Sequence, residues 1–201
     1  MTTTGSSAAP AVAEVLLVRH GQTEWSLDGR HTGRTDIPLT DEGRRHAALL
    51  RGALEGRSFE RVLTSPLTRA ADTCRLAGLG ERAQRRDELL EWDYGEYEGT
   101  TTAEIRERRP GWLLWRDGCP GGESAEQVSA RIDPLIEELR GLDGDAALFA
   151  HGHVLRALAA RWVGLRAADG SLLALSTGST SALGWEREVP VIKLWNAPPA
   201  G

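Results

Sequence analysis

Short apolar runs alternate along the chain with longer segments in which apolar residues recur every three or four positions. The runs 14–18, 61–64 and 146–150 have the composition and the length of buried strands. Two later strands are expected over 181–186 and 191–195. Because helical segments separate the first three strands, the pattern predicts an α/β protein, a three-layer α/β/α sandwich with a mainly parallel central sheet.

Polar residues at the starts of the helical segments predict where helices begin. Thr40, followed by two acidic residues, predicts a helix over 41–55. Ser65, followed by Pro66, is predicted to cap a helix that runs to about Leu76.

Two capping-box patterns predict further helices. Thr101 and Ser124 are each followed three residues later by Glu or Gln, so a helix should begin just after each of them. The second helix carries one apolar face, and Pro134 inside it should kink it or split it. A last helix is expected over 154–162.

The length of 201 residues predicts a single domain. We expect this domain over 14–197, with a flexible N-terminal tail over 1–13 and a short tail over 198–201. The segment 110–123 is rich in Trp, Gly and Pro and is a candidate lid or specificity loop. A plain surface loop with packed Trp side chains is the alternative.

The charge balance argues against some classes of partner. Lys and Arg number 24, Asp and Glu number 29, and the net charge is −5. Proteins that bind nucleic acid or anionic membranes normally have a basic surface, so neither partner is expected. No apolar run approaches the roughly 18–20 residues that cross a bilayer, and residues 1–13 do not resemble a signal peptide. Cys74 and Cys119 fit a reducing compartment, so we expect a cytoplasmic protein.

Polar residues follow the ends of three predicted strands. Arg19 and His20 follow the first strand, Ser65 follows the second and His151 follows the third. In open parallel sheets, ligands bind at this edge. A neutral imidazole is a competent nucleophile near pH 7, and Arg binds phosphoryl oxygens bidentately. The combination predicts phosphoryl transfer through a histidine, which also needs a carboxylic acid with a raised pKa.

The remaining histidines have other interpretations. His151 and His153 could form a metal-binding pair, but no third ligand cluster is apparent, so no metal or other cofactor is expected. His31 and His46 are predicted to be solvated surface residues, although His31 is close enough in sequence to line the mouth of a pocket.

Four sequence blocks occur in a familiar order. They are LVRHGQTEW at 17–25 with its continuation at 33–43, SPLTRAADT at 65–73, LEWDYGEYEG at 90–99 and AHGH at 150–153. Together they resemble the histidine phosphatase superfamily, also called phosphoglycerate-mutase-like. The resemblance covers roughly residues 14–165, and four long blocks in the family's order are a specific signal.

The resemblance implies a catalytic role for five residues. His20 would become a transient phosphohistidine. Arg19, Arg69 and His151 would surround the phosphoryl group. Glu91 would protonate the leaving group and later act as a base.

The resemblance also implies residues that contact the substrate, namely Arg19, Thr23, Ser26, Thr32, Gly33, Arg69, His151 and Gly152. Many members have Asn in place of Ser26 and Gln in place of Thr32, so substrate contacts at these shorter side chains are in doubt. Arg156 is a candidate ligand for a second phosphate or a sugar hydroxyl, with a helix-face ion pair as the alternative. The other carboxylates near Glu91 that could replace it are Asp93, Glu96 and Glu98.

The implied substrate is a small phosphate ester. Mutases of the family usually run longer, with inserted segments that exclude water, so hydrolysis is the expected reaction for this compact chain. The blocks look like the branch that includes sedoheptulose-1,7-bisphosphatase and broad-range actinobacterial acid phosphatases. We therefore expect a metal-independent phosphomonoesterase for small sugar phosphates. The alternatives are a cofactor-dependent phosphoglycerate mutase and a non-catalytic phosphoryl-binding module. The sequence leaves the oligomeric state open, as a monomer or a dimer.

Overall fold

The computed structural model describes residues 13–198. Except for residues 13 and 198, the predicted tails over 1–13 and 198–201 lie outside the described residues. The strands are β1 (Val15–Arg19), β2 (Arg61–Thr64), β3 (Gln84–Arg85), β4 (Ala146–Ala150), β5 (Thr180–Glu186) and β6 (Val189–Ala197). The α-helices are α1 (Glu24–Leu27), α2 (Asp41–Leu54), α3 (Thr68–Leu76), α4 (Thr102–Arg108), α5 (Leu114–Asp117), α6 (Ala125–Arg140) and α7 (Gly152–Trp162). Short 3₁₀ turns cover Gly80–Arg82, Asp87–Leu89, Gly95–Tyr97 and Ala167–Leu172.

The strands form one sheet in the order β3-β2-β4-β1-β5-β6. β1 and β2 lie on either side of β4 and are parallel to it, and β3 is parallel to β2. β5 runs antiparallel to β1, and β6 runs antiparallel to β5. The predicted α/β fold with a mainly parallel sheet is confirmed.

Alternate residues of the central strands face two separate cores. Leu17 and Leu148 pack in one core with apolar residues of α6 and α7. Val18 and Phe149 pack in the other core with residues of α2 and α3. Successive side chains of a strand point to opposite faces, so each strand contributes to both cores. Helices therefore cover both faces of the sheet, as the three-layer prediction required.

Most predicted helix starts agree with the structure. Thr40 caps α2, because its hydroxyl accepts a hydrogen bond from the N–H of Gly43 at 3.0 Å. Thr101 and Ser124 cap α4 and α6, and each makes both hydrogen bonds of the capping box. α7 begins at Gly152, slightly earlier than predicted.

Two details of the helix predictions are wrong. Ser65 does not cap α3, which begins further along the chain, because the Ser65 hydroxyl is hydrogen-bonded to His151 instead. α6 continues through Pro134, so the predicted split is wrong, and the alternative of a kink stays a prediction. Ile132 and Leu135, which flank this proline, are both 0% exposed, so core packing on both sides holds one helix together.

α2 lies so close to the loop after β1 that glycine is required at the contact. A Cβ atom on Gly43 would lie 2.2 Å from the carbonyl oxygen of Gln22. A Cβ atom on Gly21 would lie 2.5 Å from the carbonyl oxygen of Gly43. The helix and the loop therefore touch through their backbones, and this contact fixes the loop that follows His20.

The Gly43→Ala substitution is expected to destabilise the protein, although alanine usually favours a helix interior. The new methyl group would push α2 away from the loop, so the free energy of unfolding in urea should fall by about 1–3 kcal/mol. Gly52→Ala is the matched control in the same helix, because nothing lies within 4 Å of a Cβ atom there. The control should gain roughly 0.5–1 kcal/mol. A stabilising effect of Gly43→Ala would contradict this account.

Candidate active site

A cavity of about 180 Å³ lies beside the residues that follow β1 and β4. These strands are parallel neighbours with Arg19 paired to Ala150, so the residues that follow them meet at one edge of the sheet. The described residues that line the cavity are Arg19, His20, Ser26, Gly29, Arg30, His31, Thr32, Glu91, Tyr94 and His153. The sequence-predicted residues among them are Arg19, His20, Ser26, Thr32 and Glu91.

His20 is buried at the wall of this cavity, with 5% of its surface exposed. Its Nδ1 lies 2.7 Å from the carbonyl oxygen of Gly21. A carbonyl only accepts hydrogen bonds, so Nδ1 carries the proton. Burial, followed by the charges of Arg69 and Arg19, holds the pKa of His20 well below its ordinary value. The ring is therefore neutral near pH 7, and its unprotonated Nε2 is a competent nucleophile.

Arg19 offers an unused donor next to His20. Its guanidinium donates one hydrogen bond to the carbonyl oxygen of Leu175. The Nε atom is buried and has no hydrogen-bonding partner among residues 13–198. A buried, unpaired N–H costs about 1–3 kcal/mol. Because Arg remains charged even where burial lowers its pKa, an anionic oxygen is the natural partner for this group.

Arg69 connects α3 to the loop that lines the cavity. Its Nε donates to Nδ1 of His151 at 3.1 Å, and its Nη1 donates to the carbonyl oxygen of Thr35 at 2.9 Å. Its Nη2 donates to the carbonyl oxygens of Thr32 and Gly33 at 3.1 and 2.9 Å. The side chain is 0% exposed, so it does not lie on an exposed helix face. These contacts use four of the five N–H groups of a guanidinium, and Arg69 is outside the described lining of the cavity.

His151 lies behind His20, with the two ring centroids 5.1 Å apart. Its Nδ1 accepts the hydrogen bond from Arg69, so the proton resides on Nε2, which lies 2.8 Å from the Ser65 hydroxyl. Burial, followed by the charge of Arg69, holds the pKa of His151 well below its ordinary value. His151 is therefore a neutral ring whose two nitrogens are both engaged by protein groups.

Glu91 lines the cavity with only 4% of its surface exposed. Its Oε1 accepts the N–H groups of Trp92 and Val154, both at 2.9 Å. Its Oε2 accepts the N–H of His153 at 3.0 Å. Burial would raise the pKa of Glu91, but the hydrogen bonds that the carboxylate accepts at His153 and at the neighbouring N–H groups outweigh it and hold the pKa well below its ordinary value. The raised pKa expected from sequence is therefore wrong, because the N–H groups that begin α7 stabilise the ionised form.

The alternative carboxylates are placed elsewhere. Glu98 accepts the N–H of Gly33 at 2.9 Å, and Asp93 accepts a backbone N–H two residues further on, also at 2.9 Å. Glu96 is exposed. Among the residues that the structure describes, Glu91 is the one carboxylate that lines the cavity.

The predicted substrate-binding residues separate into two groups. Ser26 and Thr32 line the cavity. Thr23 is buried and builds α1, because its hydroxyl accepts the N–H of Ser26 at 3.2 Å and its carbonyl accepts the Ser26 hydroxyl at 2.8 Å. Gly33 and Gly152 are outside the described lining, and a Cβ atom on Gly152 would lie 3.3 Å from the guanidinium carbon of Arg19.

The structure adds His31, Tyr94 and His153 to the site. His31 is half-buried, so the prediction of a solvated surface residue is wrong and the pocket-mouth alternative is confirmed. Its ring centroid lies 4.8 Å from that of Tyr94 and 5.5 Å from that of Trp112. The signal in the sequence was proximity, because Tyr94 and His153 stand within blocks that contain predicted site residues, and His31 is adjacent to Thr32. His46, in contrast, is half-exposed on α2.

Arg156 takes neither of its predicted roles. Its Nε donates to the carbonyl oxygen of Gly170 at 3.1 Å, and its guanidinium lies 4.7 Å from the ring centroid of Trp115. It is outside the described lining of the cavity. The side chain therefore fastens α7 to the turn Ala167–Leu172.

The segment 110–123 packs behind the cavity, and none of its residues belongs to the described lining. Trp112 is 1% exposed and lies against His31. Trp115 packs edge-on against Trp92, with ring centroids 5.3 Å apart. The segment supports the wall of the cavity, and its role as a lid stays a prediction.

Within residues 13–198, no group of three or more His, Cys, Asp and Glu side chains is arranged to hold a metal ion. Over the same described range, no helix has both the length and the apolar character needed to cross a membrane.

This fold and this site agree with comparisons to known proteins. The family described as histidine phosphatase superfamily (branch 1) matches residues 15–198, and the chain belongs to that superfamily. The chain is 45% identical over 192 residues to a Mycobacterium tuberculosis protein named acid phosphatase, covering 92% of this chain and 94% of the relative. It is 38% identical over 182 residues to the sedoheptulose 1,7-bisphosphatase of Saccharomyces cerevisiae, covering 75% of this chain and 67% of the relative.

A solved structure and a second class of relative extend this comparison. The solved structure of an open reading frame product from Mycobacterium tuberculosis superposes with a TM-score of 0.88 at 42% identity, covering 94% of this chain and 99% of the other. Proteins named 2,3-bisphosphoglycerate-dependent phosphoglycerate mutase are also similar, and the one from Rhizobium etli is 40% identical over 172 residues, covering 73% of this chain and 78% of the relative.

Proposed function

We propose that this protein hydrolyses small sugar-phosphate monoesters through a phosphohistidine formed on His20. The observation that carries the proposal is the state of the His20 ring. The Gly21 carbonyl holds its Nδ1–H at 2.7 Å, which leaves Nε2 unprotonated in a ring that lines the cavity. The unpaired Nε–H of Arg19 is a ready donor to a nonbridging phosphoryl oxygen. A histidine nucleophile beside a fixed cation suits phosphoryl transfer.

The proposed reaction has two steps. First, Nε2 of His20 attacks phosphorus, so the P–N bond forms while the P–O bond to the alcohol breaks and Glu91 gives a proton to the departing oxygen. Second, the Glu91 carboxylate takes a proton from a water molecule whose oxygen attacks phosphorus, and the P–N bond breaks. Inorganic phosphate leaves, and the electron pair returns to Nε2 of His20.

The neighbouring residues are proposed to position and bind. Arg69 and His151 hold each other at 3.1 Å behind His20, and the fifth N–H of Arg69 is proposed to contact the phosphoryl group. We propose that five further residues either contact the substrate or position the loops that contact it. They are Thr23, Ser26, Thr32, Gly33 and Gly152.

Sugar phosphates are proposed because of the names that the relatives carry. The acid phosphatase relative covers nearly the whole chain, and the sedoheptulose 1,7-bisphosphatase relative acts on a sugar phosphate by its name. Sedoheptulose 1,7-bisphosphate is therefore one candidate substrate. The proposed partner is a small phosphate ester, without nucleic acid, membrane or metal cofactor. A cytoplasmic location stays a prediction.

A phosphoglycerate mutase is the second candidate, because mutases are also among the relatives. A mutase must keep its phosphohistidine away from water until it can return the phosphoryl group to a phosphoglycerate. Arg30, which lines this cavity, has 41% of its side chain exposed. An opening to solvent at that side chain favours hydrolysis.

The fate of the phosphoenzyme distinguishes these candidates. The enzyme is supplied with p-nitrophenyl phosphate and millimolar 3-phosphoglycerate, and nitrophenolate, inorganic phosphate and bisphosphoglycerate are measured together. We expect inorganic phosphate to account for nearly all the nitrophenolate released. Bisphosphoglycerate as the main product would favour the mutase, and the absence of nitrophenolate would indicate a non-catalytic binding module.

A further inference from the structure

We propose that His31 and His153 form a neutral wall that recognises hydroxyl groups on the alcohol portion of the ester. The preferred substrate is then the monophosphate of a short polyhydroxylated carbon chain, rather than the bisphosphate that the name of one relative suggests. This inference rests on the proposed phosphatase function and specifies its substrate class. Neither histidine belongs to the residues assigned to phosphoryl transfer above.

His153 has one ring nitrogen available to a ligand. Tyr94 and His153 share a hydrogen bond of 2.6 Å between the phenolic oxygen and Nδ1. Nε2 of His153 has no hydrogen-bonding partner among the described residues. A hydroxyl group both donates and accepts, so it can pair with Nε2 in either tautomer of the neutral ring. Nε2 of His153 is not fully buried, and His153 lines the cavity, so a ligand in the cavity can reach this nitrogen.

His31 is held rigidly on the same wall. Its backbone N–H donates to the carbonyl oxygen of Thr100 at 2.8 Å, and its carbonyl accepts the N–H of Gly99 at 2.8 Å. Its Nε2 lies 3.3 Å from the Thr102 hydroxyl, which leaves Nδ1 without a partner in the described chain. Burial lowers the pKa of His31 to about 4, so the ring is neutral at physiological pH. The ring centroids of His31 and His153 are 6.2 Å apart.

The chemistry of this wall selects against esters whose alcohol portion is apolar or carries a second phosphate. A neutral imidazole nitrogen pairs well with a hydroxyl group, whereas an apolar group would cover it and leave it unpaired at a cost of about 1–3 kcal/mol. A second phosphate needs a cation, and Arg19 already lies beside His20. The other lining guanidinium, Arg30, is exposed at 41%, lies 3.5 Å from Asp28 and donates to the carbonyl oxygen of Gly99.

The size of the cavity sets the length of the carbon chain. Pockets for drug-sized ligands usually measure about 300–1,000 Å³. The cavity here is smaller, at about 180 Å³, and it must also accommodate the phosphoryl group. It therefore suits an alcohol of a few carbons, or the phosphorylated end of a longer sugar.

A pair of esters that differ only in their hydroxyl groups tests the proposal. Glycerol 3-phosphate and n-propyl phosphate have the same carbon skeleton. We expect the wild-type enzyme to favour glycerol 3-phosphate by about 10- to 100-fold in kcat/KM, because buried polar groups reject a substrate that leaves them unpaired. In His31→Phe and His153→Phe this preference should fall at least about tenfold. His31→Asn, which retains a donor and an acceptor, should recover part of it, and the exposed His46→Phe should retain all of it.

Other outcomes would overturn the inference. Equal kcat/KM values for the two esters in the wild-type enzyme would exclude hydroxyl recognition, and so would equal losses on both esters in His31→Phe. A large preference for a bisphosphate over the matching monophosphate, lost in Arg30→Ala, would show that the second group recognised is anionic. In the same experiments, radioactive phosphate trapped on wild-type His20 tests the phosphatase function by itself. If the label is found while hydroxyl recognition fails, only the inference about the histidine wall is overturned.

Discussion

Replacing His20 with alanine should abolish the phosphoenzyme and lower kcat/KM for phosphomonoesters by about 10⁴-fold or more. The reason is that no other residue assigned to phosphoryl transfer offers a nucleophilic nitrogen. His151 is neutral, but its Nδ1 accepts the N–H of Arg69 and its Nε2 is bonded to Ser65. Among the assigned residues, only His20 presents an unprotonated nitrogen to the cavity.

Rapid quenching after addition of ³²P-labelled substrate measures the phosphoenzyme directly. The wild-type label should be lost in acid, as expected for a phosphohistidine, and the His20→Ala protein should carry none. His46→Ala is the matched control, because His46 is half-exposed on α2 and pairs with Glu42 at 2.8 Å. Labelled His20→Ala protein, or His20→Ala with wild-type activity, would refute the mechanism.

Replacing Glu91 with glutamine should give losses that depend on the leaving group. For a sugar phosphate, whose alkoxide needs a proton, kcat/KM should fall about 10²- to 10⁴-fold. For 2,4-dinitrophenyl phosphate, whose phenolate leaves without a proton, the first step should continue. The second step still needs a base, so dinitrophenolate should appear in a burst of one equivalent followed by slow turnover. The phosphoenzyme should then accumulate.

The exposed carboxylate Glu96 provides the control for this prediction. Glu96→Gln lies in the same segment but outside the described cavity lining, and it should behave as the wild type does. Equal losses on both esters in Glu91→Gln would contradict the acid and base roles. They would point instead to damage at α7, since Glu91 accepts the N–H groups of His153 and Val154.

The proton that Glu91 is proposed to donate must be supplied when the substrate binds. Burial raises the pKa of Glu91, but the hydrogen bonds that it accepts at His153 and Val154 lower it more, so the free enzyme holds an ionised carboxylate near pH 7. The other charged or titratable groups that interact with this carboxylate are Arg19, His20, His31, Arg69, Tyr94 and Arg156. A phosphate ester that binds as its monoanion can bring the missing proton, and the second pKa of such esters is about 6.

This proton balance determines how the Glu91-dependent step responds to pH. Above about pH 6 the monoanion becomes scarcer, so kcat/KM for an alkyl phosphate should fall by about tenfold per pH unit. The dinitrophenyl ester needs no proton for its first step and should show a weaker decline. A constant kcat/KM for the alkyl ester from pH 6 to pH 8 would show that Glu91 acquires its proton in another way.

The sheet and its helices could be predicted because their signals are local. The apolar run Ala146–Ala150 is long enough for a strand and is entirely buried in the structure. The capping patterns at Thr101 and Ser124 satisfy backbone groups within three residues, so these caps need no distant contact to form. Pro134 shows where this reasoning fails, since core contacts around it keep α6 in one piece.

Within the site, too, local sequence signals predict some properties and miss those that depend on distant contacts. The examples are Ser65, Glu91 and His31. Ser65 has the sequence of a helix cap, yet its hydroxyl lies 2.8 Å from a histidine 86 residues away in the chain. The pKa of Glu91 depends on N–H groups of α7 that are 62 and 63 residues distant. His31 is neutral because Thr100, Tyr94 and Trp112 enclose it.

By itself, the sequence determined the α/β class of the fold, the family of the protein and the identity of the residues proposed to carry the chemistry, beginning with His20. These properties follow from residue types and short spacings. Only the tertiary structure decided the proton positions on His20 and His151, the ionisation of Glu91 and the neutral wall with His31. Each of these depends on burial and on hydrogen bonds between distant segments, which no local pattern specifies.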